Sequence, residues 1–118
     1  MSKPRQPTET RPWGCFYVLD EGPGFKVKRL VVTPNGRLSL QSHKHRAEHW
    51  TVVSGEATVT VGDQVQTLRR GDAIDIALGA RHRLENFGSV DVDVIEVLFG
   101  DYLGEDDIVR YEDVYART

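Results

Sequence analysis

The sequence predicts an all-β protein, either an antiparallel sandwich or a barrel. About nine short segments, apolar or alternating in polarity, are separated by turn residues along most of the chain. Helical spacing is confined to the residues after Gly104. Polar side chains able to bind a metal fall at positions that should face inward, which favours a barrel holding a ligand over one filled by apolar side chains.

Length and composition indicate one domain with a modest core. The chain has 118 residues and a net charge of −3. Without a block of lysine and arginine, it is not expected to bind nucleic acid. Cys15 is the single cysteine, so no intrachain disulfide can form and a reducing cytoplasm is predicted. Residues 1–10 are predicted to be a polar leader before a single domain at 11–118, with neither a signal peptide nor a membrane span.

The strands are predicted from turn residues and from alternation. Pro34-Asn35-Gly36 is a strong turn, because proline fixes φ while asparagine and glycine tolerate positive φ. Gly62-Asp63 joins two alternating segments as a hairpin. Before the first of these turns, Lys28, Leu30 and Val32 share one strand face. The predicted strands are 15–19, 25–33, 37–43, 49–53, 57–61, 65–68, 73–76, 82–86 and 90–99.

A short helical segment is predicted at the C-terminal end. Gly104-Glu105-Asp106-Asp107 would place acidic groups where the start of a helix favours them. Ile108, Tyr111, Val114 and Tyr115 then follow at helical spacing.

A cluster of ligand-type residues is the most informative feature. Three of the four histidines lie between residues 43 and 49. Residues two apart share a strand face, so Gln41, His43 and His45 would point to one side. Glu48 opens the next predicted strand, and His82 follows a glycine-containing turn. A lone histidine is more often structural, but imidazole and carboxylate groups converging from three strands suit a divalent transition metal.

The first part of this cluster resembles the first motif of the cupin superfamily, Gly-x5-His-x-His-x3–4-Glu-x6-Gly. The spacing is satisfied when Asn35 stands for the opening glycine and Gln41 for the first histidine, followed by His43, Glu48 and Gly55.

The second cupin motif, Gly-x5-Pro-x-Gly-x2-His-x3-Asn, resembles 71–86, with Ala77 in place of proline and His82 as the ligand. In the first motif, the alignment that pairs His43 with His45 leaves one residue too few before Glu48. The resemblance implies a cupin-type double-stranded β-helix that binds a divalent metal, with zinc first and manganese, cobalt, nickel or iron as alternatives. The implied ligands are Gln41, His43, Glu48 and His82, with His45 in reserve for Gln41.

Longer stretches resemble one family within this superfamily, the type II phosphomannose isomerase domain. They are Arg-Pro-Trp-Gly at 11–14, Leu-Ser-Leu-Gln-Ser-His-Lys-His-Arg-Ala-Glu-His-Trp at 38–50, His-Arg-Leu-Glu-Asn at 82–86 and Tyr-Leu-Gly-Glu-Asp-Asp-Ile-Val-Arg at 102–110. This domain is usually the C-terminal part of a bifunctional mannose-1-phosphate guanylyltransferase/mannose-6-phosphate isomerase. The resemblance covers roughly 11–117 and implies metal-dependent interconversion of mannose 6-phosphate and fructose 6-phosphate. Lys44 and Ala77 depart from the family pattern.

The implied reaction needs a cation for the phosphate and a group that moves a proton. Arg46 lies inside the family motif and is the first candidate for a catalytic or phosphate-binding arginine, because a guanidinium binds phosphate in a bidentate way. Lys44 and Arg81 are further substrate-binding candidates. His45 and His49 are the candidates for proton transfer, because histidine titrates near neutrality. For His49, a hydrogen bond outside the site is the equal alternative.

Two other functions remain open at this point. The first is a noncatalytic sugar-phosphate-binding cupin that partners a separate guanylyltransferase, since this sequence includes no transferase part. The second is a metal-dependent oxygenase on another small molecule, which Gln41 disfavours because such sites are usually rich in histidine. A homodimer is also predicted, because the segment 90–99 is apolar on both faces at its end.

Overall fold

The computed structural model describes residues 6–113, and this part of the chain forms eleven strands and no helix. Each predicted strand is present, with bounds that shift by a few residues. Two short strands that were not predicted, β1 and β11, lie at the ends. The strands are β1 Glu9–Arg11, β2 Gly14–Gly22, β3 Phe25–Val32, β4 Leu40–Ser42, β5 Arg46–Ser54, β6 Ala57–Val61, β7 Gln64–Leu68, β8 Ala73–Ile76, β9 His82–Glu85, β10 Val92–Gly100 and β11 Val109–Glu112.

The strands form two antiparallel sheets that pack face to face. One has six strands in the order β1-β2-β3-β10-β5-β8, and the other has five in the order β11-β4-β9-β6-β7. β10 lies between β3 and β5, so Val94 stands opposite Leu30 on one side and Val52 on the other. The all-β prediction is confirmed.

The interior between the sheets is apolar at one end and polar at the other. On the inward face of β3, Lys28 precedes Leu30 and Val32, and on that of β10, Glu96 follows Val94. Because the two strands are antiparallel, their polar residues meet at the same end, with Glu96 directly opposite Lys28. The apolar end holds most of the core: Leu30, Val32, Trp50, Val52, Ala57, Val59, Leu84, Val92 and Val94.

The prediction of a C-terminal helix is wrong. Val109–Glu112 is a strand that pairs with β4, where Val109 stands opposite Ser42. Residues 104–107 form a turn, closed by a hydrogen bond from the Asp107 N–H to the Gly104 oxygen at 3.2 Å. The acidic residues of this turn bind other parts of the chain and do not cap a helix. Val114 and Tyr115, which completed the helical pattern, lie outside the described residues.

The turn at Pro34-Asn35-Gly36 is confirmed, and Asn35 has a φ of 68°. At the other end of the fold, Glu9 and Thr10 pair with β2, so regular structure begins inside the segment predicted as a leader. Residues 6–113 contain no helix that is long and apolar enough to cross a membrane.

Candidate metal centre

A pocket opens at the polar end of the interior, between the two sheets. Its volume is about 90 Å³. The pocket wall combines aromatic residues with four basic and three acidic side chains. Its charged, polar and aromatic lining residues include Arg11, Phe16, Lys28, Gln41, His43, Arg46, Glu48, Trp50, His82, Glu96, Glu105 and Arg110.

Three predicted ligands, His43, Glu48 and His82, meet in this pocket. Their potential ligand atoms all lie within 4.8 Å of one another. Each of the three residues is only 3% exposed. β5 supplies Glu48, β9 supplies His82, and His43 follows the end of β4, so three separate segments hold the cluster. Such a set of two imidazoles and a carboxylate is typical of zinc and other divalent transition metals.

Hydrogen bonds orient both imidazoles for metal binding. The Nδ1 atom of His43 lies 2.6 Å from the carbonyl oxygen of Asp107, and the Nδ1 atom of His82 lies 3.0 Å from that of Ala80. Because a carbonyl oxygen only accepts, each Nδ1 carries a hydrogen and donates it. Each neutral ring then presents the lone pair of Nε2 to the site, as in histidines that bind metals.

The charges in the cluster also suit a cation. Burial alone would raise the pKa of Glu48, but the close contact with His43 and the charge of Arg46 outweigh it and hold the pKa well below its usual range. Burial lowers the pKa of His82, against the opposing charge of Glu48, and so favours the neutral imidazole that a metal requires. Oε2 of Glu48 and Nε2 of His43 are 3.1 Å apart, and two facing lone pairs need a positive charge beside them.

Arg46 supplies that charge in this structure. Its Nε donates to Oε2 of Glu48 at 2.9 Å, and its Nη2 lies 3.2 Å from Nε2 of His43. The other oxygen of Glu48 accepts from Trp50 Nε1 at 2.8 Å. A metal bound to His43 would take the lone pair that now accepts from Nη2, so this arginine N–H would turn to another acceptor. The donor set therefore fits a divalent metal, at the cost of one arginine hydrogen bond.

Gln41, the fourth predicted ligand, also lines the pocket. It stands opposite His82 in the pairing of β4 with β9. Its amide nitrogen lies 3.2 Å from both the carbonyl and the hydroxyl oxygen of Ser39. These contacts use the nitrogen of the amide, and the oxygen is the atom that a metal would use.

His45 and His49 are not brought into the pocket. The strand that was expected to carry His45 inward ends at Ser42, and the side chain of His45 is 53% exposed, 3.7 Å from Asp101. The expectation that His45 shares the inward face of His43 is therefore wrong. His49 points away from the interior and lies 2.6 Å from Asp75 on the outer surface of β8.

The predicted cations are divided in the same way. Arg46 is 6% exposed and lies beside the ligands. Lys44 is exposed and does not line the pocket. Arg81 is exposed and lies over the ring of Tyr111, with its guanidinium carbon 4.2 Å from the ring centre.

Lys28, Glu96 and Glu105 were missed as site residues. Lys28 and Glu96 are 4% exposed. Each of them interrupts an otherwise apolar inward strand face. That interruption could have identified them as site residues, because buried charges are rare unless they are paired. Burial, together with the negative charge of Glu48, raises the pKa of Glu96 to about 8, against the opposing charges of Lys28 and Arg46. Glu105 had no signal of this kind, because it belongs to the segment predicted as a helix start.

Two antiparallel sheets around a buried histidine–glutamate cluster give this chain a cupin-type fold. Several solved structures share the fold at identities that show the fold alone. KdgF from a Halomonas species has a TM-score of 0.76 and 16% identity, covering 86% of this chain and 92% of that one. The cupin domain of Cnp3 from Schizosaccharomyces pombe has a TM-score of 0.69 and 18% identity, covering 74% of this chain and 64% of that one.

Residues 3–113 match the family described as "Mannose-6-phosphate isomerase C-terminal", and the chain belongs to that family. Curated relatives include the xanthan biosynthesis protein XanB of Xanthomonas campestris pv. campestris, 56% identical over 92% of this chain and 23% of its own length. The alginate biosynthesis protein AlgA of Pseudomonas aeruginosa is 52% identical over 92% of this chain and 22% of its own. The mannose-1-phosphate guanylyltransferase ManC of Salmonella typhimurium is 51% identical over the same shares. The chain thus spans less than a quarter of the curated relatives it matches, and the resemblance found in the sequence is confirmed.

Proposed function

We propose that this chain is a metal-dependent aldose–ketose isomerase that interconverts mannose 6-phosphate and fructose 6-phosphate. The observation that carries the proposal is the buried cluster of His43, Glu48 and His82 with Arg46 beside it, in a chain of this family. The metal would be held by these three ligands and by Gln41. When bound, a divalent metal supplies a Lewis acid for the sugar oxygens.

Isomerisation moves one proton between carbon atoms and one between oxygen atoms. A base removes the proton from C2 of mannose 6-phosphate, which gives an enediol, and the proton is returned at C1. The proton of the C2 hydroxyl passes to O1, so C1 ends as a CH₂OH group and C2 as a carbonyl. Arg46 would stabilise the negative charge that develops on these oxygens, because a preorganised cation in a buried site requires little rearrangement.

The group that carries the proton must face the pocket. His45 and His49 do not, so this role passes to Glu96, the buried carboxyl group in the pocket outside the proposed ligand set. Glu96 lies opposite Lys28 in the register of β3 and β10. Trp50 and Phe16 belong to the apolar part of the wall, which would exclude water from the reacting atoms.

The test is a coupled assay of fructose 6-phosphate formation from mannose 6-phosphate. The protein is stripped with a chelator and reloaded separately with zinc, manganese, cobalt, nickel or iron. We expect turnover to return with at least one metal. Arg46→Ala should lower kcat at least about 100-fold, as expected when a charge that acts in the transition state is removed. Arg69→Ala is the matched control, since Arg69 is an exposed arginine paired with Glu56 at 3.2 Å.

Absence of turnover with every metal, while metal still binds, would contradict the isomerase. It would favour the second candidate, a noncatalytic sugar-phosphate-binding cupin.

A further inference from the structure

The wall of the pocket beside the metal cluster carries a second group of charges, centred on Lys28. This lysine is buried, with its Nζ 4.5 Å from the centre of the Phe16 ring. Its ammonium group pairs with Glu105 Oε1. A buried ammonium needs a partner of opposite charge, and Glu105 supplies one from the turn at 104–107.

Arg46 points an unused donor toward the same place. Among residues 6–113, its Nη1 is a buried side-chain atom without a hydrogen-bond partner. The second oxygen of Glu105 lies 3.8 Å from it, which is too long for a hydrogen bond. Leaving a buried donor unpaired is costly, and that cost is removed when an acceptor enters the pocket.

Glu105 is therefore a poor fit for the two cations that it approaches. Its carboxylate satisfies Lys28 but does not reach Arg46, and its side chain is 45% exposed, unlike the lysine at 5%. Arg11 and Arg110 also line the pocket, so four basic residues face three acidic ones. A phosphate monoester carries up to two negative charges and three acceptor oxygens, which can contact Lys28 and Arg46 together.

The size of the pocket points the same way. Its volume of about 90 Å³ is well below the roughly 300 Å³ at which pockets for small organic ligands begin. Glu105 is part of the wall and lies on a turn. The four basic residues of the wall, Arg11, Lys28, Arg46 and Arg110, lie on strands. Withdrawal of this side chain would widen the pocket and expose the two cations.

We infer that Lys28 and Arg46 form a phosphate-binding subsite, and that the carboxylate of Glu105 occupies it until a phosphate monoester displaces it. The inference rests on the proposed function, because it takes the phosphate to be that of a hexose 6-phosphate. It replaces Lys44 and Arg81 as phosphate-binding residues, because both lie outside the pocket.

The test is calorimetric titration of the metal-loaded protein with mannose 6-phosphate, inorganic phosphate and mannose. We expect the first two to bind and mannose to bind far more weakly. Lys28→Gln should weaken binding of both phosphates about tenfold or more, since a hydrogen bond to a charged group is lost. Glu105→Gln should strengthen binding several-fold, because the uncharged side chain competes less and more of the protein is ready to bind. Lys28→Arg, which keeps the positive charge, should retain much of the affinity that Lys28→Gln loses.

Opposite effects of the two variants are the signature, because general damage to the fold would weaken binding in both. Changes of the same sign, or no change in either, would overturn the inference. So would a larger loss in Lys44→Gln than in Lys28→Gln. If Lys28→Gln does not fold, Glu105→Gln and Lys28→Arg still give the comparison.

The outcome is separable from that of the isomerase assay. Binding that follows the expected pattern in a protein without turnover would retain the subsite and reject the isomerase. Turnover in a protein whose phosphate affinity is unchanged by the substitutions of Lys28 and Glu105 would retain the isomerase and reject the subsite. Binding of inorganic phosphate but not of mannose 6-phosphate would overturn the assignment to a hexose phosphate.

Discussion

Two histidines of this chain point into the protein and two point out of it. His43 and His82 are each 3% exposed, and each donates from Nδ1 to a backbone carbonyl oxygen. The side chains of His45 and His49 are 53% and 40% exposed, and each faces an aspartate. An imidazole held by a carbonyl can present a neutral nitrogen to a metal, whereas contacts of an imidazole with a surface carboxylate add little stability. Exposure and the partner of Nδ1 therefore separate the candidate ligands from the surface histidines, which closeness in sequence does not.

The largest expected difference is in metal binding. His82→Ala should weaken the affinity for zinc by more than about 100-fold, since loss of an outer partner alone typically costs 10–100-fold. His49→Ala should leave it within about twofold, because this side chain lies on the other side of β5. Competition with a chromophoric chelator measures both, after circular dichroism has established that each variant is folded. Equal losses in the two variants would show that the inward and outward histidines do not differ as described.

A smaller effect is expected from Asp107, which holds His43 in place. Its carboxylate accepts the N–H groups of Lys44 and His45, each at 2.9 Å, while its carbonyl oxygen accepts from His43. Asp107→Ala should weaken metal binding about tenfold, as expected for an outer partner of a ligand. Amide hydrogen exchange at residues 44 and 45 should speed up as well.

Asp106→Ala is the matched control, since Asp106 is exposed and contacts the hydroxyl of Tyr102. Unchanged exchange at residues 44 and 45 in Asp107→Ala would rule out this anchoring role.

The smallest effect concerns Glu96 and the pH dependence of stability without metal. Its pKa of about 8 in the folded chain lies above its ordinary value of 4.5. The folded state thus retains a proton that the unfolded state releases, and Glu96 makes stability fall as pH rises from about 4.5 to 8. Glu96→Gln should flatten this fall. The low pKa of Glu48 acts in the opposite direction, and only below about pH 4.5.

Urea unfolding at several pH values between 5 and 8, with chelator present, measures the effect. Glu56→Gln provides the control, because Glu56 is an exposed carboxylate. A profile for Glu96→Gln as steep as that of the parent chain would contradict the raised pKa.

Local features of the sequence were sufficient to predict the strands and three of the residues that meet in the buried cluster. Turn residues and alternation act over a few positions, and Pro34-Asn35-Gly36 and Gly62-Asp63 stop the chain where the structure also turns. The spacing of His43, Glu48 and His82 could be matched to a motif for the same reason. The neighbours of β10 could not be predicted, because strands distant in sequence can pair in many orders.

Two of the errors, the inward orientation predicted for His45 and the helix predicted from Gly104, have a non-local cause. His45 turns outward because the backbone at Lys44 and His45 is bound by Asp107, more than sixty residues further along the chain. The same contacts hold the acidic segment as a turn followed by a strand. Neither is visible in local spacing, which gave helical periodicity to one segment and an extended face to the other.

The segment 105–107 touches both parts of the site at once. Glu105 reaches Lys28, while two residues later the carbonyl oxygen of Asp107 orients His43. Binding at one part therefore acts on a backbone that the other part also uses. By thermodynamic reciprocity, any factor by which the metal changes the affinity for phosphate is the factor by which phosphate changes the affinity for the metal. If both proposed sites take their ligands, one short turn would couple a cation site to an anion site, and the occupancy of each would change the affinity of the other.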